Sequence, residues 1–346
     1  MRKKVFITGS TGYIGEALTK VLLEDFTVHA ICRNCKEASD EFQNINYVPF
    51  EGTLEDKPVI YQAMEGCDYV FHLAGFAEPW HPDKDYFYRI NVLGSKNIFE
   101  AAYTLGVKRV IYTSTAGVFG PSLSGELINE NHRVWTNYST KYEKSKAEAE
   151  EVAMEYFHKG LPIIILNPTR VFGPGKFSKS NAGTLLIKKY TEGSWRFLLG
   201  DGSKYGNYVF VEDVVQGHLL AMENGKLGQR YILGGDNVTY KEFFNILSEE
   251  SGKKFRMFSI PSMPLLAFAE LQLLFAQVFR IKPMITPGFM VKYLQNWKMT
   301  SENAINELGY SPTPFRIAIQ KTLKWLRKEK NFDRGRYTYE KHQKVK

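Results

Sequence analysis

The segment Thr8-Gly9-Ser10-Thr11-Gly12-Tyr13-Ile14-Gly15 stands between a short apolar run, Val5-Phe6-Ile7, and a stretch with helical periodicity. No other segment narrows the possible folds as far. Three glycines at this spacing answer three backbone demands. Gly9 permits a tight turn, Gly12 lets the backbone approach a phosphate, and Gly15 lets helix and strand pack closely. The helix N-terminus adds free N–H groups and a partial positive charge, which together suit a pyrophosphate. A glycine triplet becomes a dinucleotide fingerprint only between a strand and a helix, and that context is present. Gly9, Thr11, Gly12, Tyr13, Ile14 and Gly15 are therefore the expected cofactor contacts at this turn.

The pattern continues beyond the turn. Apolar strands at Val28–Cys32, Tyr47–Phe50, Tyr69–Leu73, Arg109–Tyr112 and Pro162–Leu166 alternate with helices at Tyr13–Leu23, Pro58–Met64, Asp85–Leu105 and Tyr138–His158. Strands that are apolar throughout belong to a parallel sheet covered on both faces. The expected fold is α/β, a Rossmann-type doubly wound parallel sheet with a smaller, mostly helical C-terminal substrate domain. After Asn167-Pro168 the character changes, and helices are expected at Thr184–Glu192, Val211–Glu223, Tyr240–Ser251, Pro264–Phe279, Ser301–Leu308 and Phe315–Arg327. The domain reading is 1–167 for the dinucleotide domain, with a segment near 205–234 returning to it. Residues 168–204 and 235–328 form the substrate domain, and 329–346 a basic, flexible tail.

A chain of 346 residues can bury a large core, so it needs no disulfide framework. Three cysteines fit a reducing compartment, and Cys32-x-x-Cys35 has no nearby partners for a metal. The run Val5–Ile7 is too short for a signal peptide. The most apolar stretch, Met263–Phe279, is interrupted by Glu270, Gln272 and Gln277 and falls short of a span. A cytoplasmic protein without a membrane span is expected. The formal net charge of +8 is concentrated at the end, where Lys324–Lys346 holds nine Lys/Arg and three Asp/Glu. The rest reads as close to neutral. A solvated tail of this kind does not by itself call for nucleic acid.

The end of the second strand chooses the cofactor. An acidic residue there would take the ribose 2′-hydroxyl of NAD, and an Arg the 2′-phosphate of NADP. The strand ends in Cys32-Arg33, so Arg33 favours NADP over NAD. Tyr142 and Lys146, at i and i+4, share one helix face. A nearby ammonium favours the phenolate, so Lys146 is expected to lower the Tyr142 pKa and make it a general acid or base. The strand Val110–Thr113 runs into Ser114-Thr115-Ala116, placing hydroxyls at the sheet edge where ligands bind.

Taken together, the chain resembles the extended short-chain dehydrogenase/reductases of the epimerase/dehydratase superfamily. Within them it is most similar to the dihydroflavonol 4-reductase-like and 3β-hydroxysteroid dehydrogenase-like branch. The resemblance rests on Thr8–Gly15, His72–Gly75, Asn91–Asn97, Thr113–Gly120, Tyr142–Lys146 continuing to Glu150, Asn167–Gly175 and Val209–Val214. It implies an NAD(P)-dependent oxidoreductase, with Tyr142 as acid/base, Lys146 on the nicotinamide ribose and Thr115 on the substrate oxygen. It also implies that Leu73, Ala74 and Gly75 line the cofactor cleft, and that Pro168 to Val171 approach the nicotinamide. Asn91 has either a packing role or one in proton relay.

Two departures matter. The family's Gly-Asp-Leu near the adenine reads Gly52-Thr53-Leu54, leaving Thr53 and Leu54 as the expected contacts. Nucleotide-sugar enzymes carry an Arg where Gly206 or Asn207 stands, and another at Asn167. Both absences point away from a nucleotide sugar. Trp80 and His81 follow the fourth strand and are candidate substrate contacts. The apolar segment Ile260–Phe279 is a core helix or an adaptable lid. The expected activity is reduction of a carbonyl, or oxidation of a secondary alcohol, on a small lipophilic substrate. The alternatives are a nucleotide-sugar epimerase or dehydratase, and a non-catalytic dinucleotide sensor. The helices Asp85–Leu105 and Tyr138–His158 can pair across a homodimer.

Overall fold

A computed structural model describes residues 2–132, 135–177 and 181–343, with side chains described as far as Glu329. Twelve strands run in chain order: β1 (Lys4–Thr8), β2 (Thr27–Cys32), β3 (Tyr47–Glu51), β4 (Tyr69–His72), β5 (Arg109–Thr113), β6 (Ile163–Pro168), β7 (Arg170–Phe172), β8 (Phe197–Leu199), β9 (Tyr205–Phe210), β10 (Arg230–Leu233), β11 (Asp236–Thr239) and β12 (Phe258–Ile260). Seven of them form one sheet in the order β10-β6-β5-β4-β1-β2-β3. Every pairing in it is parallel. This is the doubly wound topology expected from the alternating pattern. β10, from the run after Gly228, supplies one edge beside β6.

Successive residues of a strand face opposite sides, and both sides are covered here. Val5 and Ile7 of β1 join one buried cluster with Ile111, Ile164 and Leu166. Phe6 joins the other with Val70, Val110 and Ile163. That is why these strands read as unbroken apolar runs. A third cluster, rich in Phe and Tyr, binds β7 and β9 to the helices Ala182–Thr191, Tyr240–Ser251 and Phe315–Gln343. It builds the substrate side with the small sheets β11-β9-β7 and β12-β8.

Several elements depart from the sequence pattern. The helix Cys35–Phe42 is short and polar on most faces, and periodicity does not detect it. The helix expected at Asp85–Leu105 is Tyr86–Tyr88, a π turn at Arg89–Leu93 and then Gly94–Thr104. The helix Lys141–His158 starts three residues later than expected. Thr140 stops it there by accepting the Glu143 N–H at its N-cap. The final helix runs Phe315–Gln343, beyond the periodicity that ends near Arg327. The side chains of the basic tail beyond Glu329 lie outside the described residues.

The largest correction concerns Ser262–Phe279. It is a helix, but not a core helix: only Ala269 and Ala276 are buried. By length and composition it is also apolar enough to cross a membrane.

Candidate active site

The sheet order reverses between β1 and β4, where neighbouring connections leave to opposite faces. In open α/β sheets the crevice beyond the strand ends at such a point binds ligands. Here β1 ends in the glycine turn and β4 in Leu73-Ala74-Gly75. Gly9 has φ +76°, and a Cβ there would lie 2.9 Å from the Ala74 nitrogen. A Cβ on Gly15 would lie 1.9 Å from the Gly9 carbonyl oxygen. Gly12 is the N-cap of the helix Tyr13–Asp25, and no side chain caps that end. The bare N-terminus and the glycine cradle fit a pyrophosphate. Thr11 and Ile14 are half-buried beside it. The Tyr13 side chain turns away and donates to the Gly173 carbonyl at 3.1 Å, so at that position only the backbone faces the turn.

A buried relay fixes the first strand end to the fourth. The Thr8 hydroxyl accepts the Ala74 N–H at 3.0 Å and lies 2.7 Å from His72 Nδ1. Ser95 donates to the Asn91 carbonyl, so it must accept from His72 Nε2 at 2.8 Å. His72 therefore carries its proton on Nε2, and Thr8 donates to Nδ1. Burial holds its pKa well below the usual value, so the ring is neutral.

Arg33 is exposed just past the end of β2, with no ion pair among the described residues. That leaves the guanidinium available to a phosphate. Thr53 gives both its N–H and its hydroxyl to Asp56, at 2.6 and 2.8 Å. Its hydroxyl proton is thus already committed, and Leu54 beside it is buried.

The helix Lys141–His158 carries the expected pair. Lys146 is buried, and its Nζ donates to the Thr113 carbonyl at the end of β5, at 2.7 Å. It also lies 4.3 Å from the Tyr112 ring centroid. A Cβ on Gly75 would come 3.9 Å from Nζ, which sets the ammonium against the lip of the crevice. The Thr115 hydroxyl acts on the Tyr142 phenol from beside it. It also accepts the Gly117 N–H at 3.2 Å. The fold thus brings Tyr142, Lys146, Thr115 and Gly75 together at the C-terminal edge of the sheet.

The expected lowering of the phenol pKa is absent. Burial pushes Tyr142 up to about 12, Glu143 adds to the rise, and Thr115 pulls the other way. Lys146 falls to about 7 because burial disfavours its charge, against the attraction of Glu150. Both groups have lost water, and the ammonium spends its hydrogen bond on Thr113. Desolvation therefore outweighs the pairing that spacing suggested. Glu150, a turn further along, is also buried and raised by desolvation, and accepts from Asn167 at 2.7 Å.

Asn91, in the π turn, is a clamp. It accepts the Phe76 N–H at 2.7 Å, donates to the Phe76 carbonyl at 3.1 Å, and donates to Ser145 at 2.8 Å. The chain after β4 is thereby pinned beside Lys146. Pro168 closes β6 and is buried; Val171, in β7, is half-buried. Trp80 is half-buried in the loop after β4. His81 stacks on Tyr86 at 3.9 Å between centroids and accepts the Asp83 N–H at 3.1 Å, so its ring orders the loop.

One residue escaped sequence reasoning. Arg170 fills the space beside Gly206, where an added Cβ would meet its Nη1 at 2.5 Å. It donates to Tyr240 at 2.6 Å and Tyr208 at 3.3 Å, and its Nη2 is buried without a partner. No carboxylate pairs with it among the described residues. The missing Arg at 206–207 thus does not leave this region without a guanidinium. β7 and β9 are neighbours, which no sequence spacing reveals. Asn207 itself is tied to Gly235, Asn237 and Met299.

A doubly wound sheet, a bare glycine-lined helix end and a Tyr–Lys pair at the crevice define a dinucleotide-binding oxidoreductase. The chain belongs to the NAD dependent epimerase/dehydratase family, whose pattern matches residues 5–234. It is similar to a Synechocystis sp. protein provisionally named dihydroflavonol 4-reductase, 29% identical over 93% of this chain and 94% of that one. Sterol demethylase protein B of Methylococcus capsulatus is also 29% identical, over 93% and 97%. A ketoreductase of Stigmatella aurantiaca, named for a farnesylated dihydroquinoline-1-oxide, is 29% identical over 78% and 79%. The solved structure of gox2253 superposes with a TM-score of 0.80 at 29% identity, covering 94% of this chain and 98% of that one. UDP-glucose 4-epimerase of Thermotoga maritima, at 22% identity and TM-score 0.78, shares the fold.

Proposed function

We propose that the chain is an NADP-preferring reductase that delivers hydride to the carbonyl of a small lipophilic substrate, with Tyr142 protonating the oxygen. The observation that carries this reading is the Tyr142 phenol beside the Thr115 hydroxyl, one helical turn from an ammonium at the lip of the crevice. A phenol pushed up to about 12 is protonated at neutral pH, which suits an acid for carbonyl reduction. Thr115 would hold the substrate oxygen toward it. Lys146 would bind the nicotinamide ribose. The glycine turn would hold the pyrophosphate and Arg33 the 2′-phosphate. Leu54, Leu73, Ala74 and the backbone of Pro168 to Val171 would border the cofactor. Bound there, the reduced nicotinamide supplies the hydride. Lipophilic substrates are supported by the sterol and farnesyl names of two relatives.

Arg170 favours a second reading. A guanidinium with no carboxylate partner among the described residues, and with a buried Nη2 left over, is suited to a diphosphate or carboxylate, as a nucleotide-sugar epimerase or dehydratase requires. Cofactor stoichiometry separates the two. A ketone panel incubated with NADPH should consume one equivalent per product formed if the chain is a reductase. Turnover of UDP-glucose or dTDP-glucose without net cofactor consumption would establish the second reading instead.

A further inference from the structure

Helix Ser262–Phe279 and the chain that follows it expose a continuous apolar surface that the reductase chemistry does not use. Met263 is 81% exposed, Leu274 57%, Val278 65%, Ile281 67% and Met284 82%, and Phe268, Leu271, Phe275 and Phe279 are exposed as well. Scattered surface apolar residues are ordinary, whereas a contiguous run of this size marks an interaction site. With about 3.6 residues per turn, the exposed apolar side chains from Met263 to Phe279 fall on one broad face, opposite the buried Ala269 and Ala276, which suits a helix lying flat on an apolar boundary.

The charge around it is one-sided. Residues 252–299 contain seven Lys/Arg and one acid, Glu270; Lys282 and Lys292 are paired with Glu78 and Glu143 from elsewhere in the chain, and Lys253, Lys254, Arg256, Arg280 and Lys298 remain in excess. The part of the chain outside the tail is therefore not evenly neutral: Lys254 and Arg256 before the helix and Arg280 just after it leave a local excess of positive charge. A second copy would bring the same cationic surface against itself in any two-fold interface. An anionic bilayer is complementary to it, with apolar side chains entering among the acyl chains and Lys/Arg at the headgroups.

The helix lies along such a surface and does not cross it. After Arg280 the chain turns back, and the Met284 N–H donates to Gln272 Oε1, halfway along the helix, at 2.8 Å. The next helix, Pro287–Tyr293, is held to the catalytic helix by the ion pair between Lys292 and Glu143, at 2.5 Å. Lys282 pairs with Glu78 in the loop that carries Trp80. The apolar hairpin is thus fastened at two points to the surroundings of Tyr142.

We infer that Ser262–Met284 is a membrane-surface anchor that lies in the interface of an anionic bilayer and sets the mouth of the active site against it. This goes beyond the reductase reading and is measured without cofactor or substrate. Full-length protein is to be sedimented with vesicles of phosphatidylcholine alone and of phosphatidylcholine with phosphatidylglycerol. Two variants at exposed positions accompany it, Leu274→Glu with Val278→Glu, and Lys254→Glu with Arg256→Glu. The wild type should partition onto the anionic vesicles, less onto neutral ones, and less at high salt. Each variant should lose roughly tenfold or more in partitioning while keeping the wild-type unfolding temperature. Wild-type protein that remains in the supernatant, or variants that bind as well as it does, would overturn the inference. So would a soluble dimer that the Leu274→Glu, Val278→Glu protein splits into monomers, because the occupant would then be a second copy.

Discussion

In the proposed reaction Lys146 and Tyr142 carry the chemistry, and their spacing alone misstates their electrostatics. Burial leaves the phenol protonated and the amine near neutrality, because each has lost water and the ammonium is turned to the Thr113 carbonyl. A measurable consequence follows by linkage. If the ammonium form is the one that grips the ribose, cofactor binding takes up a proton above the free-enzyme pKa. Affinity should then weaken as pH rises through about 7. Fluorescence titration with NADH, which lacks a titrating 2′-phosphate, should show this slope. Lys146→Met should bind more weakly and without the slope. The buried histidines do not confuse the signal, since desolvation holds His218 at about 4 and His72 well below its usual value. Arg33 makes a separate claim. Arg33→Ser removes a charge-assisted contact of about 1.5–3 kcal/mol, so NADPH affinity should fall roughly tenfold to a hundredfold. NADH affinity should change little; equal losses for both cofactors would show that Arg33 does not read the 2′-phosphate.

At the scale of elements, the glycine turn and the π turn position the site by opposite means. The turn works by absence: a methyl group on Gly15 would sit 1.9 Å from backbone that cannot move without displacing β1. Gly15→Ala should abolish cofactor binding and destabilise the fold by more than about 2 kcal/mol in denaturant unfolding. The π turn works by a clamp. Asn91→Ala leaves the Phe76 N–H and its neighbours unsatisfied in a buried place, at a cost of about 1–3 kcal/mol. It should lower the unfolding temperature and raise KM for the cofactor, because Gly75 would no longer be fixed beside Lys146. A wild-type unfolding temperature would show that the clamp is dispensable. The glycine turn was legible because its demand is local and only glycine meets it. The clamp was not, because Phe76, Asn91 and Ser145 meet only after folding. Arg170 was missed for the same reason, since β7 and β9 pair across distant sequence. The helix Ser262–Phe279 shows the converse: its composition was plain, but an apolar run reads alike whether the fold covers it or exposes it.

For the whole molecule, one sheet gathers the site: β1 and β4 end at the crevice in the glycine turn and in Leu73-Ala74-Gly75, and β5 ends in the Thr113 carbonyl that receives the Lys146 ammonium. The seven-stranded parallel order was readable because doubly buried strands must alternate with covering helices. The helical character of the C-terminal part was readable as well, but its small sheets were not, since they and its Phe- and Tyr-rich cluster assemble segments too short to announce themselves. The expected homodimer through the helices Gly94–Thr104 and Lys141–His158 is a proposal for light scattering of the full chain. The proposed reaction rests on one requirement, that the Tyr142 phenol meets the substrate oxygen. Its most direct test is Tyr142→Phe, assayed for ketone-dependent NADPH oxidation and for NADPH affinity on the same preparation. The expected result is a fall in kcat of about 10²- to 10⁴-fold with affinity within a few-fold of wild type. Turnover at the wild-type rate would contradict it.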